Sequence, residues 1–526
     1  MSKKSLSLIL YAHQEYMHHV DDEIHSQWHK SIFPLMTNMY IPLLQSFERM
    51  ERDSVPFSVS LVITPLLCSM LDDPVLQERY IVWLDRLIDF GEAEIKRYIK
   101  KPLLEKNAKI YVKKLRDIRD YYTNKVECNL LAKFAYFAEK EYIELLGTTA
   151  TPIFLPHFAD FKDAINAQIE AGLISHKHFF GIRPDGFWLP YMGYVPGLEK
   201  NIRMYGYNYT ILDTHGLLFA NPVPENGVFS PVRTNNYLAL FARNYDSSID
   251  VNDEQELFQN DVYRCEQRDI GYEASTEDLS KILFEDGARF ETGFKYWSRK
   301  EKTEEAYDHD KAIKQTEKDA KTFLDENAKK LASAEKLCNT DVSLVDTLYL
   351  QDLGNSWYES VDWLEQVFRQ ASKRSDIDIE KCYSLVKNQY KLPKVSPVAS
   401  AATPTGYGEE LLDSSNSWML CYVRKATERM LDLATRFSED TGLKARTLDL
   451  AAKEVLLAQS ADWPKMMHLE KNADFADDRF RMSIANFTTV FDSLGANEMS
   501  TEWLTRIERQ DSLFPWMNYR VFSPKK

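Results

Sequence analysis

Six cysteines are spread over 526 residues, at 68, 128, 265, 338, 382 and 421, and no two of them form a C-x-x-C pair. Zinc ribbons and disulfide frameworks need closely spaced thiols, so neither is indicated, and a reducing, cytoplasmic compartment is the expectation. A cationic excess is missing too. Lys and Arg number 65 against 80 Asp and Glu, a net charge of −15, which argues against nucleic acid or an anionic membrane surface as the main partner. No uninterrupted apolar run reaches the roughly 18 residues that a membrane span needs. The opening MSKKSLSLILYAH imitates a signal peptide, but its apolar run is brief, lacks a small-residue cleavage site and leads into the polar HQEYMHH. A first buried strand is expected instead. Neither G-x-G-x-x-G nor G-x-x-x-x-G-K-[ST] occurs, so nucleotide binding has no motif behind it, and a G-x-S-x-G elbow is absent as well. No cofactor is indicated.

Apolar residues make up 44% of the chain and aromatics 13%, enough for a sizeable core and, with an acidic surface, suited to a neutral ligand such as a sugar. Short β-type runs alternate with helical sequence. Residues 5–11 (SLSLILY), 57–63 (FSVSLVI), 209–212 (YTIL) and 342–349 (VSLVDTLY) read as strands, and 80–99 reads as an amphipathic helix. Strand–helix alternation over several hundred residues predicts a parallel α/β sheet or barrel. Chemistry then sits at the C-terminal strand ends, at Tyr11–His13, Trp188–Tyr191, Asp213–His215 and the stretch after Val345. Residues 302–331 form a charged helix with Asp310/Lys314, Glu317/Lys321 and Glu326/Lys330 at i,i+4 spacing. The Pro-rich stretch 391–409 marks a boundary or long loop. Beyond it, Met419, Tyr422, Val423, Ala426, Met430, Leu433 and Phe437 recur at helical spacing, so 410–526 reads as all-helical.

Several residues invite a chemical reading. His13, His18 and His19 with Asp21, Asp22 and Glu23 match no ligand spacing and read as a polar loop; no metal site is expected. Asp213-Thr214-His215 is either an acid/base pair or a polar cluster holding a loop. Asp462-Trp463 sets a carboxylate beside an indole, which grips a sugar through hydroxyls and C–H face; a buried Trp behind an N-cap Asp is the alternative. In GFWLPYMGY (186–194), Tyr191 stands in an irregular aromatic segment that reads as a strand end opening into a site.

Taken together, ITPLLCSMLDDPVLQERY (63–80), GFWLPYMGYVPGLE (186–199), ILDTHGLLFA (211–220), FARNYDSS (241–248), YRCEQRDIGYE (263–273), TGFKYW (292–297), WYESVDWLEQVFRQ (357–370), QSADWPKMM (459–467) and DRFRMSIANF (478–487), with His13, give the chain its family likeness. It resembles glycoside hydrolase family 57, specifically the 1,4-α-glucan branching-enzyme subgroup, almost from end to end. The resemblance implies an α/β fold: an incomplete (β/α)7 TIM-like barrel over 1–395, a helical insertion around 245–335, and a C-terminal all-helical domain over 396–526. It also implies retaining cleavage of α-1,4-glucan with transfer to a 6-hydroxyl, a reaction that uses two carboxylates about 5–5.5 Å apart.

The sequence departs from that pattern where the chemistry should be. Tyr191 stands at the nucleophile position. Ungapped alignment on Trp357-Tyr358-Glu359 puts Tyr349 at the acid/base position, whereas a three-residue shift brings in Asp346, and Asp352 is nearby. Tyr11 replaces the first histidine of the N-terminal pair, Pro152 replaces another histidine, and the 400–406 loop lacks a tryptophan. A phenol with a pKa near 10 is a poor nucleophile without a strong base or cation beside it. The expectation is a maintained fold with silent glycosidase chemistry, its cleft binding an α-glucan or maltooligosaccharide, or serving a protein partner. His13, Trp188, Asp213, His215, Trp357, Asp462 and Trp463 are the expected sugar contacts. The alternative is an active glucan-modifying enzyme that uses Asp346 or Asp352.

Overall fold

The longer strand-forming segments are rich in Val, Ile and Leu and almost wholly buried, as parallel strands covered on both faces must be. The protein is described from a computed structural model covering residues 3–17, 30–245, 257–280, 282–283, 287–300, 305–338, 340–402, 404–496 and 498–525. Nine strands are formed among them: β1 (Lys4–Ala12), β2 (Val59–Ile63), β3 (Ile143–Leu146), β4 (Gly186–Phe187), β5 (Tyr209–Leu212), β6 (Val232–Arg233), β7 (Ala239–Ala242), β8 (Val342–Tyr349) and β9 (Asp378–Ile379). The four strands read from the sequence are β1, β2, β5 and β8.

One sheet runs β3-β2-β1-β8 in parallel, with β9 against the start of β1; the other runs β4-β5-β7-β6, with only β6 antiparallel. The two meet at two seams. Gly147 bridges Phe187 in parallel, and the Asn244 amide donates to the Val345 carbonyl at 2.7 Å. Seven parallel strands therefore surround one interior as two bridged sheets, without a continuous closed ladder. Ile9, Tyr11, Val62, Leu146, Trp188, Tyr209, Ile211, Phe241 and Val345 fill that interior.

Register decides which side chains face inward. Along β8, Val345, Thr347 and Tyr349 lie opposite Ser7, Ile9 and Tyr11 of β1 on the interior face. Leu344, Asp346 and Leu348 lie opposite Leu6, Leu8 and Leu10 and face the surrounding helices. The charged helix predicted over 302–331 is His309–Cys338; it buries Ala312, Ala320, Leu324, Ala328 and Leu331, and its Asp310 accepts from Lys106 at 2.6 Å. The described residues between 257 and 300 carry only short helices, so the helical content of the expected insertion sits mainly in its second half.

The C-terminal region is helical: Ser417–Arg436, Gly442–Ala458, Asp462–His468, Ala473–Ala496 and Thr501–Gln510. Of the residues expected along the first of these, Tyr422 faces solvent and Phe437 falls just past its end. Helix Gly442–Ala458 is buried almost all round, as a central helix should be. Its end is tied to the barrel through Thr151 Oγ1 to the Leu456 carbonyl (2.7 Å), Gln168 to Gln459 (2.8 Å) and the Ala461 amide to the Pro152 carbonyl (3.0 Å). These bonds carry Asp462 to the strand ends. The 391–409 stretch is a loop, but a bonded one, exchanging backbone hydrogen bonds with Arg233, Asn221, Gly216, Tyr194 and Tyr191 as it crosses the barrel mouth.

Among the described residues no helix is long and apolar enough to cross a membrane. All six cysteines are free thiols.

Candidate functional site at the strand ends

Five strand ends and one C-terminal helix converge on the barrel mouth. β1 delivers Tyr11 and His13, β2 delivers Thr64, β4 leads to Trp188 and Tyr191, β5 to Asp213, and β8 ends on Tyr349. His13 is buried between two partners. Its Nδ1 lies 3.0 Å from Thr64 Oγ1, and its Nε2 lies 3.1 Å from both carboxylate oxygens of Asp462. Ser460 Oγ donates to Asp462 Oδ2 at 2.8 Å, and the Tyr191 hydroxyl donates to Asp462 Oδ1 at 3.1 Å. Three side chains thus close on one carboxylate 4% exposed.

Burial works to raise the Asp462 carboxyl, but the charge of His13 and the bonds from His13, Ser460 and Tyr191 outweigh it and hold it below the usual range. Burial likewise works to lower the His13 imidazole, and Asp462's charge and hydrogen bond overcome it, leaving it raised. Glu15, two residues beyond His13, is pushed up by burial and then by the charge of Asp462.

Tyr191 and Met192 both adopt left-handed backbone, at φ 53° and 49°. For non-glycine residues this costs of order 1–3 kcal/mol each. The Tyr191 carbonyl accepts from the Ala402 amide at 2.8 Å, and Tyr194 pairs with Ser400, so the crossing loop holds the strained turn in place. Beside it stands an aromatic wall. Tyr11 stacks on Trp188 with centroids 5.2 Å apart, and Tyr349 meets Tyr11 edge-on at 5.4 Å and Trp188 at 6.3 Å. Lys465 Nζ lies 5.5 Å from the Tyr191 ring centroid.

Both phenols at the expected catalytic positions resist ionisation. Burial, then the charge of Asp462, pushes Tyr191 well above the usual phenol value. Burial pushes Tyr349 up to about 12 despite the opposing pull of Arg243. At pH 7 a phenol of that pKa is ionised to only about one part in 10⁵.

Two family models match the chain: "Glycosyl hydrolase family 57" over residues 7–303, and "1,4-alpha-glucan branching enzyme, C-terminal" over residues 422–522. The chain belongs to glycosyl hydrolase family 57. The first match contains His13 and Tyr191 and the second contains Asp462, so the bonded cluster joins both. The 1,4-alpha-glucan branching enzyme TK1436 of Thermococcus kodakarensis is 23% identical over 561 aligned positions, covering 97% of this chain and 77% of that one. Among solved structures, the alpha-amylase AmyC from Thermotoga maritima superposes with a TM-score of 0.92 at 27% identity, covering 100% of both chains. The GH57-type branching enzyme from Pyrococcus horikoshii gives 0.87 at 21% identity, over 100% of this chain and 97% of that one.

Within this family fold, the residues picked from the sequence do not all gather at the mouth. His13, Trp188, Tyr191, Tyr349, Asp462 and, at the end of β5, Asp213 do. Asp213 and His215 form a strand-end cluster: Arg243 bonds Asp213 at 2.7 Å, and His215 lies between Asp213 Oδ1 (3.1 Å) and the Gly406 carbonyl (2.9 Å). That arrangement anchors the crossing loop, the second of the two readings. Trp463 is 1% exposed and donates to the Leu457 carbonyl at 2.8 Å, so its ring is core and offers no face to a ligand. Trp357, buried against Tyr263 and Trp363, is core as well. Asp346 points away from the interior, accepting from Asn244 at 2.8 Å and Asn327 at 3.4 Å. Asp352 is exposed in the first turn of helix Leu350–Ser356. Among the described residues no group of three or more His, Cys, Asp or Glu could hold a metal ion; His18, His19, Asp21, Asp22 and Glu23 lie outside them. Sequence reasoning missed Glu15, Thr64, Arg243 and Lys465. Only the H-x-E spacing of His13 and Glu15 was a signal it could have used.

Proposed function

We propose that this family 57 chain holds an α-glucan, of maltooligosaccharide size or larger, in the strand-end cleft without cleaving it. The observation that carries the reading is the direction of one hydrogen bond: Tyr191 donates its hydroxyl proton to Asp462. A nucleophile has to give up that proton to a base, yet the carboxylate bonded to it is already saturated by His13 and Ser460 and stays ionised because of them. Tyr349 cannot stand in for a carboxylic acid that cycles between donor and acceptor, because its proton is held to about 12. Losing members of a catalytic unit costs on the order of 10⁴–10⁶ in rate. Half-buried Tyr191 and Tyr349 supply the aromatic surface open to a sugar C–H face, backed by the buried stack of Tyr11 on Trp188, and the polar cluster around Asp462 lies beside them.

The test pairs two measurements on the purified protein: new α-1,6 branches or shortened chains in amylose, followed by iodine staining and debranching, and calorimetric affinity for maltoheptaose. Binding without turnover is the expected result. Turnover that Tyr191→Phe abolishes would sink the proposal, and absence of both activity and affinity would move the cleft's role to a protein partner. Tyr191→Glu with Tyr349→Asp restores two carboxyls and checks whether the rest of the mouth retains catalytic support.

A second reading has its own observation. Asp462 is lowered while Glu15 is raised, and carboxyls driven apart in this way are how acid and base roles are divided. An active protein built on that pair would lose turnover in Glu15→Gln and keep it in Tyr191→Phe.

A further inference from the structure

A cavity of about 290 Å³, with its own lining, lies between helices Pro74–Arg97 and Pro102–Asp120, the inserted segment and the end of helix Leu350–Ser356. None of Tyr11, His13, Trp188, Tyr191, Tyr349 or Asp462 lines it. Five cations do: Lys30, Lys114, Arg264, Lys295 and Lys471. Among the described residues, two carboxylates line it with them. Glu266 takes both arms of Arg264 at 2.9 Å and Lys295 at 3.0 Å, and Glu291 takes Lys295 as well. The remaining Arg264 nitrogen donates to the Gly293 carbonyl at 3.1 Å. Those charges are closed.

Lys30, Lys114 and Lys471 are not. Among the described residues no carboxylate lies within ion-pair range of any of them. Asp362 and Asp352 feel the charges of Lys114 and Lys471 respectively, but from beyond bonding distance. Lys114 Nζ finds only Asn38 Oδ1, at 3.5 Å, and the face of Tyr358, whose centroid is 4.0 Å away. The Arg264 guanidinium sits 3.7 Å from the same ring. Burial first, and then the charge of Arg264, holds the Lys114 ammonium down to about 8. In a chain with fifteen more acidic than basic side chains, three lysines around one hollow have no bonded carboxylate among the described residues. A bound anion would supply the missing charge, and lysines, as mobile point charges, suit phosphate oxygens. Three of them match a dianion better than a lone carboxylate. The volume is close to the lower end of small-molecule sites, about 300 Å³, and Trp83, Tyr358 and Phe294 add an aromatic wall.

We propose that this cavity binds a phosphate group, either free or as the monoester of a single sugar, with Lys114 and Lys471 as its principal cations. The site is independent of whether the strand-end cleft holds glucan.

The experiment is isothermal titration of the full chain at low salt with inorganic phosphate, a hexose 6-phosphate and the unphosphorylated hexose. The expected result is saturable binding of a phosphate-bearing probe and none of the hexose. Tighter binding of the ester than of inorganic phosphate assigns a sugar phosphate, and equal binding assigns free phosphate. Lys471→Ala, at an exposed position, and Lys114→Met should each weaken the favoured probe by about tenfold or more, with Lys114→Arg keeping most of the affinity. The thermal midpoint of Lys471→Ala should match wild type, which separates a lost contact from a lost fold. No saturable binding of either phosphate probe at millimolar concentration overturns the proposal, as does equal affinity in wild type, Lys114→Met and Lys471→Ala.

Discussion

At the barrel mouth the Asp462 carboxylate takes bonds from His13, Tyr191 and Ser460, and Asp213 is closed by Arg243. In the cavity beside helix Pro102–Asp120, three lysines line the hollow and, among the described residues, none is bonded to a carboxylate. The two regions treat charge in opposite ways: the mouth buries its carboxylates, while the cavity has half-buried Lys114 beside exposed Lys30 and Lys471. Where charge is saturated by donors from within the chain, the side chains are fixed and their protons are hard to move, which suits holding a neutral ligand and disfavours proton-transfer chemistry. Where charge is left over, an external counter-charge has something to answer. Perturbed titratable groups alone do not separate these cases, because both regions contain them; the hydrogen-bond count around each group does.

The comparison breaks first at Asp462. Asp462→Ala removes the acceptor shared by three donors and leaves His13 and Tyr191 facing a gap. The expected loss is about 3 kcal/mol of stability in urea unfolding, together with loss of maltooligosaccharide affinity. A loss below about 1 kcal/mol would show that the carboxylate does not organise the mouth. No comparable loss is expected in Lys471→Ala, since among the described residues no bond depends on that side chain.

A smaller effect comes with pH. His13 is raised in the folded chain, so its contribution is complete below the unfolded value near 6.5 and is lost as pH rises through the folded value. Asp462 is lowered, so its contribution is complete above about 3.9 and is lost as pH falls through its folded value. Stability from the pair should therefore be greatest between roughly pH 4 and 6.5 and decline on both sides. His13→Gln should remove the alkaline limb in urea midpoints recorded across that range; an unchanged limb would mean that another group carries it.

Much of the frame was legible from sequence because β1, β2, β5 and β8 are apolar runs long enough to show. The two-residue β4 is too short to announce itself, and β7, though as long as β5, has two alanines of little strand propensity among its four residues; both exist through their pairing with β5. One error at the site was avoidable. Side chains alternate along a strand, so a three-residue shift from Tyr349 necessarily lands on the opposite face, and Asp346 could have been set aside on parity alone. Trp463 was hinted at by the apolar run of helix Gly442–Ala458, which predicts burial for the residues just past its end. The meeting of His13 with Asp462, 449 residues apart, had no local signal, since it depends on how the end of that helix is tied to Pro152 and Gln168.

Tyr191→Phe tests the same saturation more finely. It removes one of three donors to Asp462 and no packing, so the expected loss is about 1–2 kcal/mol, read from the urea midpoint. Glucan affinity should change little if the ring rather than the hydroxyl meets the sugar. A much larger loss would indicate that the strained turn at Tyr191 and Met192 depends on this bond as well as on the crossing loop.

The smallest effect is expected at Asp352, and it bears most directly on silent against active chemistry. Its side chain reaches water from a short helix, while the protein crowded around it raises its carboxyl against the pull of Lys465 and Lys471. Solvent access keeps its part in the fold small, and Asp352→Ala should alter stability by no more than about 0.5 kcal/mol. A raised carboxyl is one requirement of a glycosidic acid, but a second carboxyl facing it at about 5–5.5 Å is another, and Tyr191 occupies the place where that partner is expected. If Asp352→Ala leaves amylose untouched, as wild type should, this acid has no part in the mouth. If wild type turns amylose over and this variant does not, helix Leu350–Ser356 must close on the cleft during the reaction, and the saturated mouth would be only its resting form.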